Sequence, residues 1–90
     1  MDKGSIISGS FFVFRYIKND IPSFAFVAPK KLAKTAIKRN YLRRRGYNII
    51  HLYNLKPASG IFFYKKEGIT APLSEIRKDI EYILKKTHII

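Results

Sequence analysis

The sequence predicts an α+β domain in which two helices cover one face of a small β-sheet. Three observations carry that expectation: three short runs rich in aromatic and β-branched residues, two longer segments with apolar residues at helical spacing, and the order strand, strand, helix, strand, helix. Ninety residues hold one core, and no repeat, low-complexity stretch or Pro/Gly-rich linker interrupts them, so residues 1–90 read as a single domain.

The first strand spans residues 10–18. Its even positions Phe12, Phe14 and Tyr16 form an uninterrupted apolar face, whereas the odd positions Phe11, Val13, Arg15 and Ile17 include a charge. Side chains alternate across a strand, so the even face packs inward and the odd face opens to solvent or a ligand. Asn19-Asp20-Ile21-Pro22 supplies turn chemistry, and residues 24–28 return as an antiparallel hairpin partner.

Pro29 ends that strand. Residues 30–34 form a basic loop leading to Thr35, whose hydroxyl suits the N-cap of a helix reaching about Asn54. At about 100° per residue this helix divides into two arcs. Ile37, Tyr41, Leu42, Ile49, Leu52 and Tyr53 fall on one side, and Arg39, Asn40, Arg43, Arg44, Tyr47 and His51 on the other. Arg39, Arg43 and Tyr47 stack along one ridge, with Asn40 and Arg44 beside it. Lys38 and Arg45 project from the apolar arc and are expected to snorkel or to lie past the sheet edge. Gly46 in mid-helix costs about 1 kcal/mol relative to alanine, so it either ends the helix early or lets a nucleic-acid backbone come close.

Pro57-Ala58-Ser59-Gly60 breaks the pattern, and residues 61–64, Ile-Phe-Phe-Tyr, form a short buried strand with an exit through residues 65–70. Thr70-Ala71-Pro72 opens the second helix. Its stripe of Leu73, Ile76, Ile80, Ile83 and Leu84 covers the sheet, and Glu81 and Lys85 have the spacing of an i,i+4 pair.

Charge restricts the partner. The net charge is +12; no acid lies between Asp20 and Glu67, while eight Lys and Arg fall between Lys30 and Arg45. Such a field concentrates phosphates, and neutralising them releases counterions from a nucleic acid. Arginine, the residue suited to bidentate phosphate contacts, supplies all the cations from position 39 to 45.

The remaining composition excludes other chemistries. Without cysteine there is no disulfide framework, thiolate zinc site or Cys nucleophile. Six scattered acids do not make a two-metal site, and His51 and His88 do not make an acid–base pair, so no catalytic group is expected in the chain itself. No export signal stands at the start and no apolar stretch approaches about 18 residues, so the expected location is the cytoplasm, with no membrane partner and no small-molecule substrate. A membrane-surface role is disfavoured because the sheet consumes the apolar arc of the basic helix.

Phe26-Val27-Ala28-Pro29-Lys30-Lys31, followed after a spacer by Lys38-Arg39-Asn40-Tyr41-Leu42-Arg43-Arg44, resembles the signature of the bacterial ribonuclease P protein component. In that family a strand ends in a Lys-Lys loop and a helix carries Arg-Asn-x-x-(Lys/Arg)-Arg. The resemblance spans residues 10–83, with its specificity in residues 24–47. It implies a two-layer α/β sandwich like domain 2 of ribosomal protein S5, with a left-handed βαβ crossover. Pattern alone does not deliver that handedness, because such crossovers are right-handed in about 98% of cases.

The resemblance further implies an accessory subunit of a ribonucleoprotein endoribonuclease. The subunit binds ribonuclease P RNA and the 5′ leader of precursor tRNA, while Mg²⁺ held by the RNA, and none bound by the chain alone, carries out hydrolysis. On this reading the RNA-binding residues are Lys30, Lys31, Lys34, Lys38, Arg39, Asn40, Arg43, Arg44 and Tyr47. Phe11, Val13 and Arg15 are candidates for the leader cleft, where unstacked bases rest on a ring or a guanidinium plane.

Three departures stand out. Family members begin with a basic helix whose spaced Phe residues complete the cleft; residues 1–9 are too short and too rich in Gly and Ser for this, so a short variant with a half-built cleft is expected. Tyr47 stands where arginine is usual, and Arg15 where an aromatic is usual. Plainer readings stay open beside the family one: the basic run as a solvated helix face, Phe11 and Val13 as sheet packing, Tyr47 as a flank to Gly46, and the whole chain as a general RNA-binding or ribosome-associated module.

Overall fold

A computed structural model describes residues 4–90. The elements run β1 (Ser5–Ser8), β2 (Phe12–Lys18), β3 (Ser23–Val27), α1 (Ala36–Ile50), β4 (Ala58–Tyr64), α2 (Lys66–Ile69) and α3 (Leu73–Lys86). The result is an α+β fold with a mixed four-stranded sheet in the order β1-β2-β4-β3.

That order corrects the expected hairpin. β2 and β3 do not pair; β4 inserts between them, antiparallel to β2 and parallel to β3, and α1 is the crossover joining the parallel pair. Burial supplies the reason. β4 hides Ala58, Gly60, Phe62 and Tyr64 on one face, and so the central position suits it best. The turn at Asn19 is real, but it passes the chain over the end of β4, where the Asn19 amide donates to the Ser59 hydroxyl at 2.6 Å.

Two strands are longer or more numerous than the sequence suggested. β4 begins at Ala58, inside the stretch that reads as a break, and Gly60 pairs within it; glycine fits this strand position because the Phe14 ring occupies the space a Cβ would need. β1 carries little signal in the sequence: four residues bounded by Ser and Gly give little periodicity. It pairs antiparallel with β2, from Ser5 opposite Tyr16 to Ser8 opposite Val13. Of the segment expected to leave the cleft half built, Met1, Asp2 and Lys3 lie outside the described residues.

The predicted even face of β2 is the inner one. Phe12 and Phe14 are fully buried beside Phe26 and Phe62, with Phe26 and Phe62 stacked at 4.7 Å and Phe12 edge-on to Phe62 at 5.6 Å. Leu42, Ile49 and Ile50 from α1 and Ile76, Ile80, Ile83 and Leu84 from α3 close the core over this face. Each such side chain contributes about 1.5–3 kcal/mol by leaving water.

Thr35 caps α1 as expected, its hydroxyl accepting from the Lys38 N–H at 3.1 Å. The helix ends at Ile50, four residues short of the expected end, and its buried stripe is rotated away from the arc read from the wheel. Leu42, Gly46, Ile49 and Ile50 are buried, whereas Ile37 is 83% exposed, Tyr41 53% and Leu52 62%. Gly46 neither ends the helix nor faces a ligand: a Cβ there would collide with the Phe26 ring, so glycine is what lets α1 press onto the aromatic sheet face. On α3 the stripe is right except for Leu73, which is 55% exposed, and the Glu81–Lys85 ion pair forms at 2.9 Å.

Asp79 was unforeseen as a core residue. It is the buried charged residue among those described, and its carboxylate accepts the N–H groups of Ser10 at 2.8 Å and Phe11 at 2.9 Å. The ammonium of Lys65 adds a bond to the Gly9 carbonyl at 2.7 Å, so the turn between β1 and β2 is fastened from two sides. No helix among the described residues is long and apolar enough to cross a membrane.

Candidate nucleic-acid interface

One edge of the sheet is β3, and α1 runs beside it. Between them lies a groove lined by Ala25, Phe26, Val27 and Ala28 of the strand side and by Ala36, Arg39, Asn40, Arg43 and Tyr47 of the helix. The ridge read from the sequence therefore becomes one wall of a cleft, because positions four apart share a helix face.

The wall is partly fixed and partly free. The Arg39 guanidinium donates to the Ala33 carbonyl at 2.9 Å and is half-buried, so one end of the ridge is anchored to the loop before the helix. Arg43 donates to the Asn40 amide oxygen at 3.3 Å, and both side chains remain exposed. Tyr47 is half-buried, its ring edge-on to Phe26 at 5.3 Å, which joins the groove to the core. That packing favours the plain reading of Tyr47 as a supporting residue while leaving part of its surface in the groove.

The other predicted cations frame this groove. Lys30 and Lys31 sit exposed in a turn closed by Leu32 and Ala33 N–H groups on the Pro29 carbonyl, and Lys34 is exposed just before the cap. Arg44 is exposed on the next ridge and does not line the groove; Lys38 projects on another side of the helix, toward Tyr41. Among the described residues the ion pairs are Glu75–Lys78 and Glu81–Lys85, both within α3, so the cations of residues 30–45 face no internal carboxylate.

The leader-cleft candidates separate. Val13 and Arg15 lie on the sheet face away from the helices, where the register sets Val13, Phe63 and Val27 in one row and Arg15, Ile61 and Ala25 in the next. Phe11 precedes β2, packs against the core and shares a crevice with Glu75, Lys78 and Tyr82 of α3, so it does not join them. The open face thus has members the sequence reading missed: Ile61 and Val27, 39% and 37% exposed, and the half-buried Phe63. Strand alternation in residues 61–64 carried a signal for them, hidden by reading the whole run as buried. Among the described residues no three His, Asp or Glu side chains gather into a metal-holding cluster.

A mixed sheet with helices on one face, a cationic groove at its edge and an open second face define a small basic α+β protein. The sequence model of the Ribonuclease P family matches residues 1–88, and the chain belongs to that family, that of the bacterial ribonuclease P protein component. No curated protein sequence matches the chain. Solved structures do. The RNase P protein of Staphylococcus aureus superposes with a TM-score of 0.83 at 21% identity, covering 97% of this chain and 84% of that one. The RNase P protein from Thermotoga maritima gives 0.84 at 20% identity, covering 93% and 84%. At these identities the likeness establishes the fold.

Proposed function

We propose that this chain is the subunit that docks onto ribonuclease P RNA through the α1 groove and the Lys30–Lys31 turn, and that guides the single-stranded 5′ leader of precursor tRNA along the open sheet face. Family membership makes it a subunit of the ribonucleoprotein endoribonuclease and makes ribonuclease P RNA its partner. One observation carries the finer reading: Arg39, Asn40 and Arg43 converge on a single groove with no carboxylate opposing them.

The chemistry follows from position. Guanidinium groups bind phosphate in a fork, and here the groups are held on a helix braced by Gly46 against Phe26, so the cations arrive preorganised. Arg15 and the apolar strip of Val13, Ile61 and Phe63 offer a flat surface with one cation, suited to unpaired bases and their backbone. Mg²⁺ held by the partner RNA supplies the hydrolytic chemistry. This chain screens phosphate repulsion and holds the leader in register, in the cytoplasm where precursor tRNA is processed.

Reconstitution tests the proposal. Purified chain mixed with a bacterial ribonuclease P RNA is expected to restore cleavage of precursor tRNA at low Mg²⁺. If it binds many RNAs with equal strength and restores no cleavage, the general RNA-binding module is the correct description.

A further inference from the structure

On α1 Tyr41 is an aromatic side chain that the core does not use. It is 53% exposed, and Ile37, one turn earlier on the same side, is 83% exposed. Neither contributes to the core, and Tyr41 lies at least about 100° around the helix axis from Arg39, Asn40, Arg43 and Tyr47, so its ring belongs to a different surface from the groove. Cations surround this surface. The Lys38 ammonium stands 5.8 Å from the Tyr41 ring centroid and the Arg45 guanidinium 5.5 Å.

The two cations are not equivalent. Arg45 is half-buried and its guanidinium donates to the Ala71 carbonyl at 3.2 Å, which tethers it to the segment before α3 and fixes one neighbour of the ring. Lys38 is exposed and among the described residues shows no tether beyond the ring itself, so its ammonium can swing onto a phosphate and uncover the aromatic surface. An exposed ring with a fixed guanidinium on one flank and a movable ammonium on another has the parts of a nucleotide site: a π-surface for a base and charges for the phosphates beside it.

We infer that Tyr41, Lys38 and Arg45 form a second RNA-contacting site on α1, which takes one unstacked nucleotide of the partner RNA by stacking on the Tyr41 ring while Lys38 binds its phosphate. This rests on the reading of the chain as an RNA-docking subunit and adds to it that the RNA grips α1 from two sides. Charge complementarity selects the occupant, since the site is cationic throughout and the ring offers a surface that every base can use.

The test is a titration of a bacterial ribonuclease P RNA transcript with the full chain and its Tyr41→Leu, Tyr41→Phe and Arg43→Ala variants at several salt concentrations. Tyr41→Leu is expected to weaken binding about fivefold or more with an unchanged salt slope, and Tyr41→Phe to bind like the parent, because stacking needs the ring and not the hydroxyl. If Tyr41→Leu binds like the parent while Arg43→Ala is weakened, the second site is wrong and the groove stands; if neither is weakened, the docking proposal itself fails. Should Tyr41→Leu lose stability, a benzoylphenylalanine placed at position 41 decides: crosslinking to an unpaired nucleotide, stronger than from the same probe at the exposed position 82 on α3, upholds the site, and equal or absent crosslinking overturns it.

Discussion

Tyr64 donates its phenolic proton to the backbone carbonyl of Leu42 at 2.7 Å, inside the core, and so bolts the central strand β4 to the middle of α1. The helix that carries the cationic ridge is thereby held at one height above the sheet. Burial pushes the Tyr64 phenol up to about 12, with the Arg45 charge pulling weakly the other way.

Tyr64→Phe leaves the Leu42 carbonyl without this partner and is expected to cost about 1 kcal/mol at neutral pH. The pH dependence has a definite sign. The folded state holds the phenolic proton more tightly than the unfolded chain, so the stabilisation is complete below about pH 10 and is lost as pH rises toward about 12. Urea unfolding of both proteins should show a gap at about pH 8 that narrows by about pH 11.

Gly46→Ala sets two effects against each other. Helix propensity favours alanine by about 1 kcal/mol, whereas the new methyl group enters the space of Phe26, whose ring is buried and stacked on Phe62. Overpacking of this kind costs about 1–3 kcal/mol, and with both rings locked the upper part of that range applies. A net loss of about 1–2 kcal/mol, seen as a lower unfolding midpoint in urea, is expected; a rise in stability would mean that the helix can lift off the sheet at little cost.

Asp79→Ala removes the acceptor for two backbone N–H groups at the β1–β2 turn. Hydrogen bonds to a charged group contribute about 1.5–3 kcal/mol, and an expected loss of about 2 kcal/mol should appear with amide exchange accelerated at Ser10 and Phe11 relative to the residues of β2. Uniform exchange across the sheet would argue against a local clasp.

Arg43→Ala and Arg44→Ala are expected to weaken RNA binding and to flatten its salt slope by about one unit for each phosphate left without its cation, with unfolding midpoints unchanged. Arg39→Ala should differ from both, because its guanidinium also holds the Ala33 carbonyl: it loses stability by about 1 kcal/mol as well as affinity. Comparing thermal melts with filter-binding titrations at several salt concentrations separates the two kinds of arginine.

Local chemistry alone determined a good deal of this protein: the Thr35 cap, the inward Phe12 and Phe14, the α3 stripe, and a ridge of Arg39, Asn40 and Arg43 with no acids near it in the chain. Each depends on neighbours within a few positions, where periodicity and propensity act directly. Tertiary structure decided the rest. β4 displaced β3 from β2 because strand partners are chosen by which surfaces can be buried together, a long-range competition that a turn sequence such as Asn19-Asp20 does not reveal. The same competition rotated the buried arc of α1: the helix turns Leu42, Gly46, Ile49 and Ile50 to the sheet, with Gly46 close enough to Phe26 to leave no room for a Cβ, and this orientation leaves Ile37 and Tyr41 in solvent and Arg39 and Arg43 at the edge beside β3.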